Sequence, residues 1–300
     1  LLVFCAKAAL LPLYLWLPDT YARAPAAVAA LFAVMTKVGL YALLRVSSLW
    51  FGEDAGAMAG FASDWLLVAG LGTLVLAALG VLAATRLRVL IAYLVLVSAA
   101  TLFIAFALGQ VGTIGAGLYY LAHSTFVTAA LFLIADLIRR RRGPASDRKE
   151  IIAPMPGKTG PSLLFLVAAI SVAGLPPLSG FLAKAALLSS IPAANTAWVW
   201  SVVLLSSLMV IVGLSRAGVR LFWRVPAAVE AGEDAAPPLR KAPSRPLETA
   251  AAVLLILYGI GMTVAAAPMM RYTEAAAAQL LDSASYVGEL RATPSRSRAP

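Results

Sequence analysis

Of 300 residues, 61% are hydrophobic and 13% charged, with a mean hydropathy of +0.89, which excludes an ordinary water-soluble domain because no soluble core could use that much apolar surface. The net charge of +10 would suit nucleic acid, but the basic residues gather between apolar runs as topology determinants, so no nucleic-acid partner is expected. The single cysteine, Cys5, excludes an intrachain disulfide.

The fold class that follows is an all-α polytopic membrane protein. About eight transmembrane helices are predicted, at roughly 1–17, 26–46, 63–84, 88–108, 113–138, 163–190, 197–221 and 248–267. The chain opens in an apolar run without Met, basic n-region or cleavage site, which reads as entry mid-helix and not as a signal peptide. Pro18-Asp19 closes the first span and Pro25 opens the second; Gly52-Glu53-Asp54 and Arg86-Leu87-Arg88 punctuate later gaps. Two long loops, about 139–161 and 222–247, are rich in Arg, Pro and acidic residues and read as solvated. The domain reading is a membrane domain over 1–224, a cytoplasmic loop over 225–247, a last helix over 248–267 and an external tail over 268–300.

Assigning successive loops to alternate sides puts sixteen Lys and Arg on one side and five on the other. The richer side holds Arg23, Arg86, Arg88, Arg139 to Arg142, Arg148, Lys149, Lys158, Arg216, Arg220, Arg224, Arg240, Lys241 and Arg245. By the positive-inside bias these loops face the cytoplasm of a bacterial inner (cell) membrane and the C-terminus lies outside.

Within the sixth span, Gly174-Leu175-Pro176-Pro177-Leu178-Ser179-Gly180 cannot continue an α-helix, since adjacent prolines remove two donors and their rings clash with the preceding turn. Freed carbonyls at membrane depth survive only when packed in protein or lining a wet cavity. A discontinuous helix is therefore expected at 174–180, next to the charge of Lys184. The octad Phe181-Leu182-Ala183-Lys184-Ala185-Ala186-Leu187-Leu188 matches Phe4-Cys5-Ala6-Lys7-Ala8-Ala9-Leu10-Leu11 as F-x-A-K-A-A-L-L, on spans of opposite direction. Val38-Gly39-Leu40 likewise resembles Val212-Gly213-Leu214, with Ile211 opposite Lys37. Both point to an inverted-topology repeat.

Lys7, Lys37 and Lys184 lie within spans, Lys37 roughly 16 Å deep at 1.5 Å per residue. In a low-dielectric site a lysine can lose and regain its proton near neutral pH, so the three read as stations on a proton path. The lone histidine, His123, sits mid-span and suits a relay. Ser124, Thr125 and Thr128 supply hydroxyls nearby, whose plainer use is bonding between helices. No Asp or Glu is mid-span; Asp136, a turn from Arg139, reads as an end-of-helix ion pair. Metal-ligand clusters, nucleophile triads, phosphate loops and haem-ligand pairs are missing from the sequence, so no metal, cofactor or catalysis on a soluble substrate is expected.

These residues together resemble a family. Lys7-Ala8-Ala9-Leu10-Leu11-Pro12-Leu13, Trp16-Leu17-Pro18-Asp19, Met35-Thr36-Lys37-Val38-Gly39-Leu40-Tyr41, His123 and Gly174-Leu175-Pro176-Pro177-Leu178-Ser179-Gly180-Phe181 are similar to the core signature of the antiporter-like subunits. That family is shared by complex I and the Mrp-type multisubunit cation/proton antiporters. His123 to Leu133 and Arg220 to Arg224 look most like its Mrp D subunits. The resemblance implies fourteen spans, of which these are the last eight, and a glutamate on an earlier span pairing with Lys7. It implies a polar axis through Lys7, Lys37, His123 and Lys184 carrying protons in exchange for Na⁺ or K⁺, with other membrane subunits as partners. Equivalent pumping subunits of complex I or group 4 hydrogenases are the alternative, and an inert scaffold with paired lysines the third. Many relatives place a lysine where this chain has Val127, so the relay here must use water, His123 or hydroxyls.

Overall fold

A computed structural model describes residues 2–143, 147–148, 157–223 and 246–292. Every regular element among them is helical. In chain order these are α1 (Leu2–Lys7), α2 (Trp16–Arg23), α3 (Ala26–Trp50), α4 (Ser63–Ala83), α5 (Leu87–Ala107) and α6 (Val111–Arg141). There follow α7 (Thr159–Ala173), α8 (Ser179–Ser189), α9 (Ala193–Gly218), α10 (Pro246–Val264), α11 (Ala266–Leu281) and α12 (Ser283–Ala292). Six helices are long and apolar enough to cross a membrane: α3, α4 (with the short turn before it), α5, α6, α9 (with the π-turn after it) and α10. Two further expected spans are interrupted.

The α5 and α6 helices form the centre. In its most apolar stretch 89% of α5 is buried, as expected of a helix hydrophobic all round. It packs on α2, α3, α4, α6 and α9. Helix α6 touches α3, α5, α7, α8, α10 and α11, so it meets both segments of the second interrupted span. Small residues set the close approaches. A Cβ on Gly39 would meet Lys7 Cγ at 3.3 Å, and one on Gly213 would meet Val81 Cγ1 at 2.6 Å.

The first span corrects the sequence reading of a continuous helix over 1–17. Helix α1 ends at Lys7, Ala9 takes a left-handed φ of 61°, and the chain re-forms a helix only at Trp16. Pro12 is the physical cause, since it has no N–H and its ring collides with the carbonyl four residues back. Pro18, read as the stop, instead lies in the first turn of α2, where proline is tolerated. The opened backbone is satisfied by protein groups: Trp16 Nε1 donates to the Ala6 carbonyl at 2.9 Å, and Leu11 N–H donates to Thr73 Oγ1 at 3.0 Å.

The second break falls where expected. Helix α7 stops at Ala173, Gly174 adopts φ 79°, and α8 starts at Ser179. The break precedes Lys184 in α8 but follows Lys7 in α1, so the two matching octads meet their interruptions from opposite sides.

At the arginine-rich end, Asp136 is only 4% exposed and accepts from Arg139 at 2.9 Å and Arg140 at 2.5 Å, the end-of-helix ion pair foreseen. Asp147 caps α5, its carbonyl accepting from Leu87 N–H at 2.8 Å and its Oδ2 from Arg88 N–H at 3.3 Å. The loop expected from 139 begins only after Arg141. The loop reading over 144–146, 149–156 and 224–245 lies outside the described residues, as does 293–300. Residues 266–292, read mostly as an external tail, form α11 and α12. Thr273 and Ala277 of α11 are buried, and α11 packs along α6. Tyr119 Oη donates to the Met262 carbonyl at 2.9 Å, tying α6 to the end of α10 just before it.

Candidate functional site

The two prolines of the α7–α8 break free particular backbone acceptors. In an unbroken helix, residue 177 would donate to the carbonyl of Ala173 four residues earlier, and Pro177 cannot. Lys184 Nζ takes that acceptor instead, donating to the Ala173 carbonyl at 2.9 Å and to Ser207 Oγ of α9 at 3.1 Å. Lys184 is 9% exposed, and its stem folds back over Gly174, where a Cβ would lie 2.8 Å from Lys184 Cδ. Glycine at 174 thus serves both the left-handed turn and the lysine that closes it. A cation at the carbonyl end of α7 also meets the negative end of that helix's dipole.

His123, 2% exposed, joins the same break from α6. Its Nδ1 lies 2.8 Å from Ser179 Oγ, the first residue of α8. Its other ring nitrogen faces Gly180, where a Cβ would sit 2.8 Å from Nε2 and overlap the Ser171 carbonyl. Gly180 therefore lets α8 close onto α7 and the imidazole at once. Pro176 and Pro177, Gly174 and Gly180 accordingly form one structure that holds His123 and Lys184 together.

Lys37 is 2% exposed and donates from Nζ to Ser98 Oγ on α5 at 2.6 Å. Ser98 in turn donates to the Val95 carbonyl at 2.7 Å. One hydroxyl serves an ammonium with three donors, and among the described residues no carboxylate pairs with it. A turn along α5, Thr101 stands beside the Tyr120 hydroxyl of α6. The Tyr120 ring lies 5.9 Å from that of His123. Polar groups thus run from Lys37 through Ser98, Thr101 and Tyr120 to His123, Ser179 and the Lys184 break.

Lys7 stands apart. It is exposed at the end of α1, and its stem packs against Gly39 of α3. Ser124, Thr125 and Thr128 also differ from their expected interhelical use. Ser124 and Thr125 donate to the Leu121 carbonyl, and Thr128 to that of Ser124, all within α6. Val127 is buried beside Leu255, Ile256 and Ile260, in a mostly apolar cavity that Ser171 also lines.

Ser98, Thr101, Tyr120, Ser171, Ser179 and Ser207 were missed from sequence. A serine inside an apolar helix is an ordinary packing residue. The usable signal was positional: Ser179 lies inside the break, and Ser98 and Thr101 share a face of α5.

A multi-pass α-helical membrane protein with two interrupted spans and a buried lysine–histidine axis is the class that this fold and site define. A sequence profile described as "NADH:quinone oxidoreductase/Mrp antiporter, TM" matches residues 1–210, and the chain belongs to that family. It is 35% identical over 307 residues to the D subunit of a probable K(+)/H(+) antiporter of Rhizobium meliloti, covering 93% of this chain and 55% of that protein. It is 33% identical over 293 residues to the D subunit of the Na(+)/H(+) antiporter of Bacillus subtilis, covering 96% and 56%. The chain thus spans about half the length of these relatives. Its fold is shared with a chain of the Mrp complex from Dietzia sp., with a TM-score of 0.79 at 23% identity over 96% of this chain and 59% of that one.

Proposed function

We propose that this chain translocates protons in a multisubunit Na⁺/H⁺ or K⁺/H⁺ antiporter, along the axis Lys37–Ser98–Thr101–Tyr120–His123–Ser179–Lys184. The observation that carries the reading is the pair of buried ammonium groups, Lys37 and Lys184, held among the described residues by hydroxyl and carbonyl oxygens. A buried ammonium paired with a carboxylate is locked in its charged form, whereas neutral oxygens accept from both the ammonium and the amine. His123 lies between them with a hydroxyl on one ring nitrogen, an arrangement that passes a proton by switching tautomers. Lys7, exposed here, enters the axis by pairing with an acidic side chain elsewhere in the assembly.

Other membrane subunits are the partners under this reading, and the exchanged cation is Na⁺ or K⁺. The arginine-rich ends face the cytoplasm and α11 lies near the outer surface.

The test is exchange by the assembled complex in inverted vesicles, read as dissipation of an imposed pH gradient on adding Na⁺ or K⁺. Lys37→Ala, His123→Ala and Lys184→Ala should each abolish exchange while the complex still assembles. Full exchange by Lys37→Ala and Lys184→Ala would make the lysines structural pairs. Single-cysteine labelling at positions 86 and 216 from the two sides tests the orientation.

A further inference from the structure

Away from the axis, a cleft of about 600 Å³ opens where α4 and α9 end and α5 begins, on the arginine-rich face. Arg86, Arg148, Arg216 and Arg220 line it, over a floor of small residues such as Ala83 and Gly213. Among the described residues no Asp or Glu lines it, and Arg86, Arg216 and Arg220 form no ion pair. The same end of the bundle shows the contrast, since Asp136 there gathers two arginines of its own. Arg86, Arg216 and Arg220, gathered around one cavity, repel each other unless an anion joins them, and the planar guanidinium matches phosphate oxygens two at a time.

The surface next to the cleft is apolar and uncovered. On α9, Val212 and Leu208 lie one and two turns from Arg216 on its face and are 41% and 55% exposed. On α4, Leu79 lies one turn from Ala83 and is 45% exposed. Gly213 meanwhile brings α9 so close to Val81 that the helices seal below the cleft. A group seated among the arginines therefore cannot extend between the helices, only along their outer faces.

We propose that this cleft binds the phosphate of an anionic phospholipid, with the acyl chains lying on the exposed faces of α4 and α9. Charge selects the headgroup, and the apolar strip separates a lipid from a free phosphate ion.

The experiment uses the assembled complex carrying the full subunit, in nanodiscs containing photoreactive phosphatidylglycerol or photoreactive phosphatidylcholine with identical chains. Cross-links are mapped by mass spectrometry to 79–86 and 208–220. Phosphatidylglycerol should label these segments and phosphatidylcholine should not. Arg216→Gln with Arg220→Gln should cut the labelling by roughly 30-fold, at the usual strength of two basic residues against an anionic membrane. Arg216→Lys, which keeps the charge but loses the two-pronged guanidinium, should retain more labelling than Arg216→Gln. Equal labelling by both lipids, or no labelling of these segments, overturns the proposal. Loss of phosphatidylglycerol labelling in millimolar inorganic phosphate would identify a free-anion site and overturn the lipid assignment. Should the double variant fail to assemble, the comparison of the two lipids on the unmodified complex decides.

Discussion

Gly180→Ala tests whether the α7–α8 break is a working part of the axis. The added methyl would stand 2.8 Å from His123 Nε2, about 0.7 Å inside an ordinary contact near 3.5 Å, and would overlap the Ser171 carbonyl. Neither neighbour yields cheaply: the carbonyl belongs to the last turns of α7, and the imidazole is held by Ser179 at 2.8 Å. Overpacking of this kind costs about 1–3 kcal/mol, a factor of roughly 5 to 150 against the closed arrangement. Gly174→Ala perturbs the other side of the same break. It imposes a left-handed φ on alanine at about 1–2 kcal/mol, but its steric neighbour is the flexible stem of Lys184. The assay pairs thermal stability of the complex, read by fluorescence-detected gel filtration, with cation-driven proton exchange in vesicles. Both variants should lose stability and exchange, Gly180→Ala by displacing His123 and Gly174→Ala by displacing Lys184. Wild-type exchange by a stably assembled Gly180→Ala complex would refute the reasoning and leave the break a packing feature.

Ser98→Ala removes the acceptor of a charge-assisted bond worth about 1.5–3 kcal/mol and should slow exchange at least tenfold with assembly intact, as measured in the same vesicles. Asp136→Asn should lower stability by about 1–2 kcal/mol, since one partner is buried and the arginines are part-exposed, while exchange per assembled complex stays unchanged. Lys7 should be protected from amine-reactive labelling in the assembled complex, and labelling as fast as at the exposed Lys158 would show that nothing covers it. Val127→Lys should impair assembly, because the side chain would enter the apolar contact with Leu255 and Ile256.

Much of the architecture was legible because the bilayer restricts the choices. Runs such as Leu87–Ala107 have only one way to satisfy their backbone in lipid, and Pro176-Pro177 has only one consequence for a helix. The first break was as strongly encoded by Pro12, but the apolar residues around it hid the interruption inside a run of spanning length. Helix α11 was hidden for the opposite reason, since Arg271 and Glu274 among alanines resemble a solvated tail until α6 is there to pack against. At the site, the charged residues were conspicuous and their partners were not. Lys184 reaches back eleven residues to Ala173, and Lys37 across sixty-one to Ser98, distances that carry no local pattern.

The bond from Lys184 to Ala173 gives one side chain two duties. As an ammonium it opposes the negative end of the α7 dipole as well as donating a hydrogen bond; as an amine it keeps the hydrogen bond alone. The difference, about 0.3–1 kcal/mol near a helix terminus, is of the order of thermal energy. On the proposed path, each proton visiting Lys184 would therefore tighten or slacken the joint between α7 and α8 by a small, fully reversible amount. On that path, occupancy of the site would be felt as tension in the backbone that carries it, and His123, clamped to the same joint through Ser179, is the side chain placed to register it.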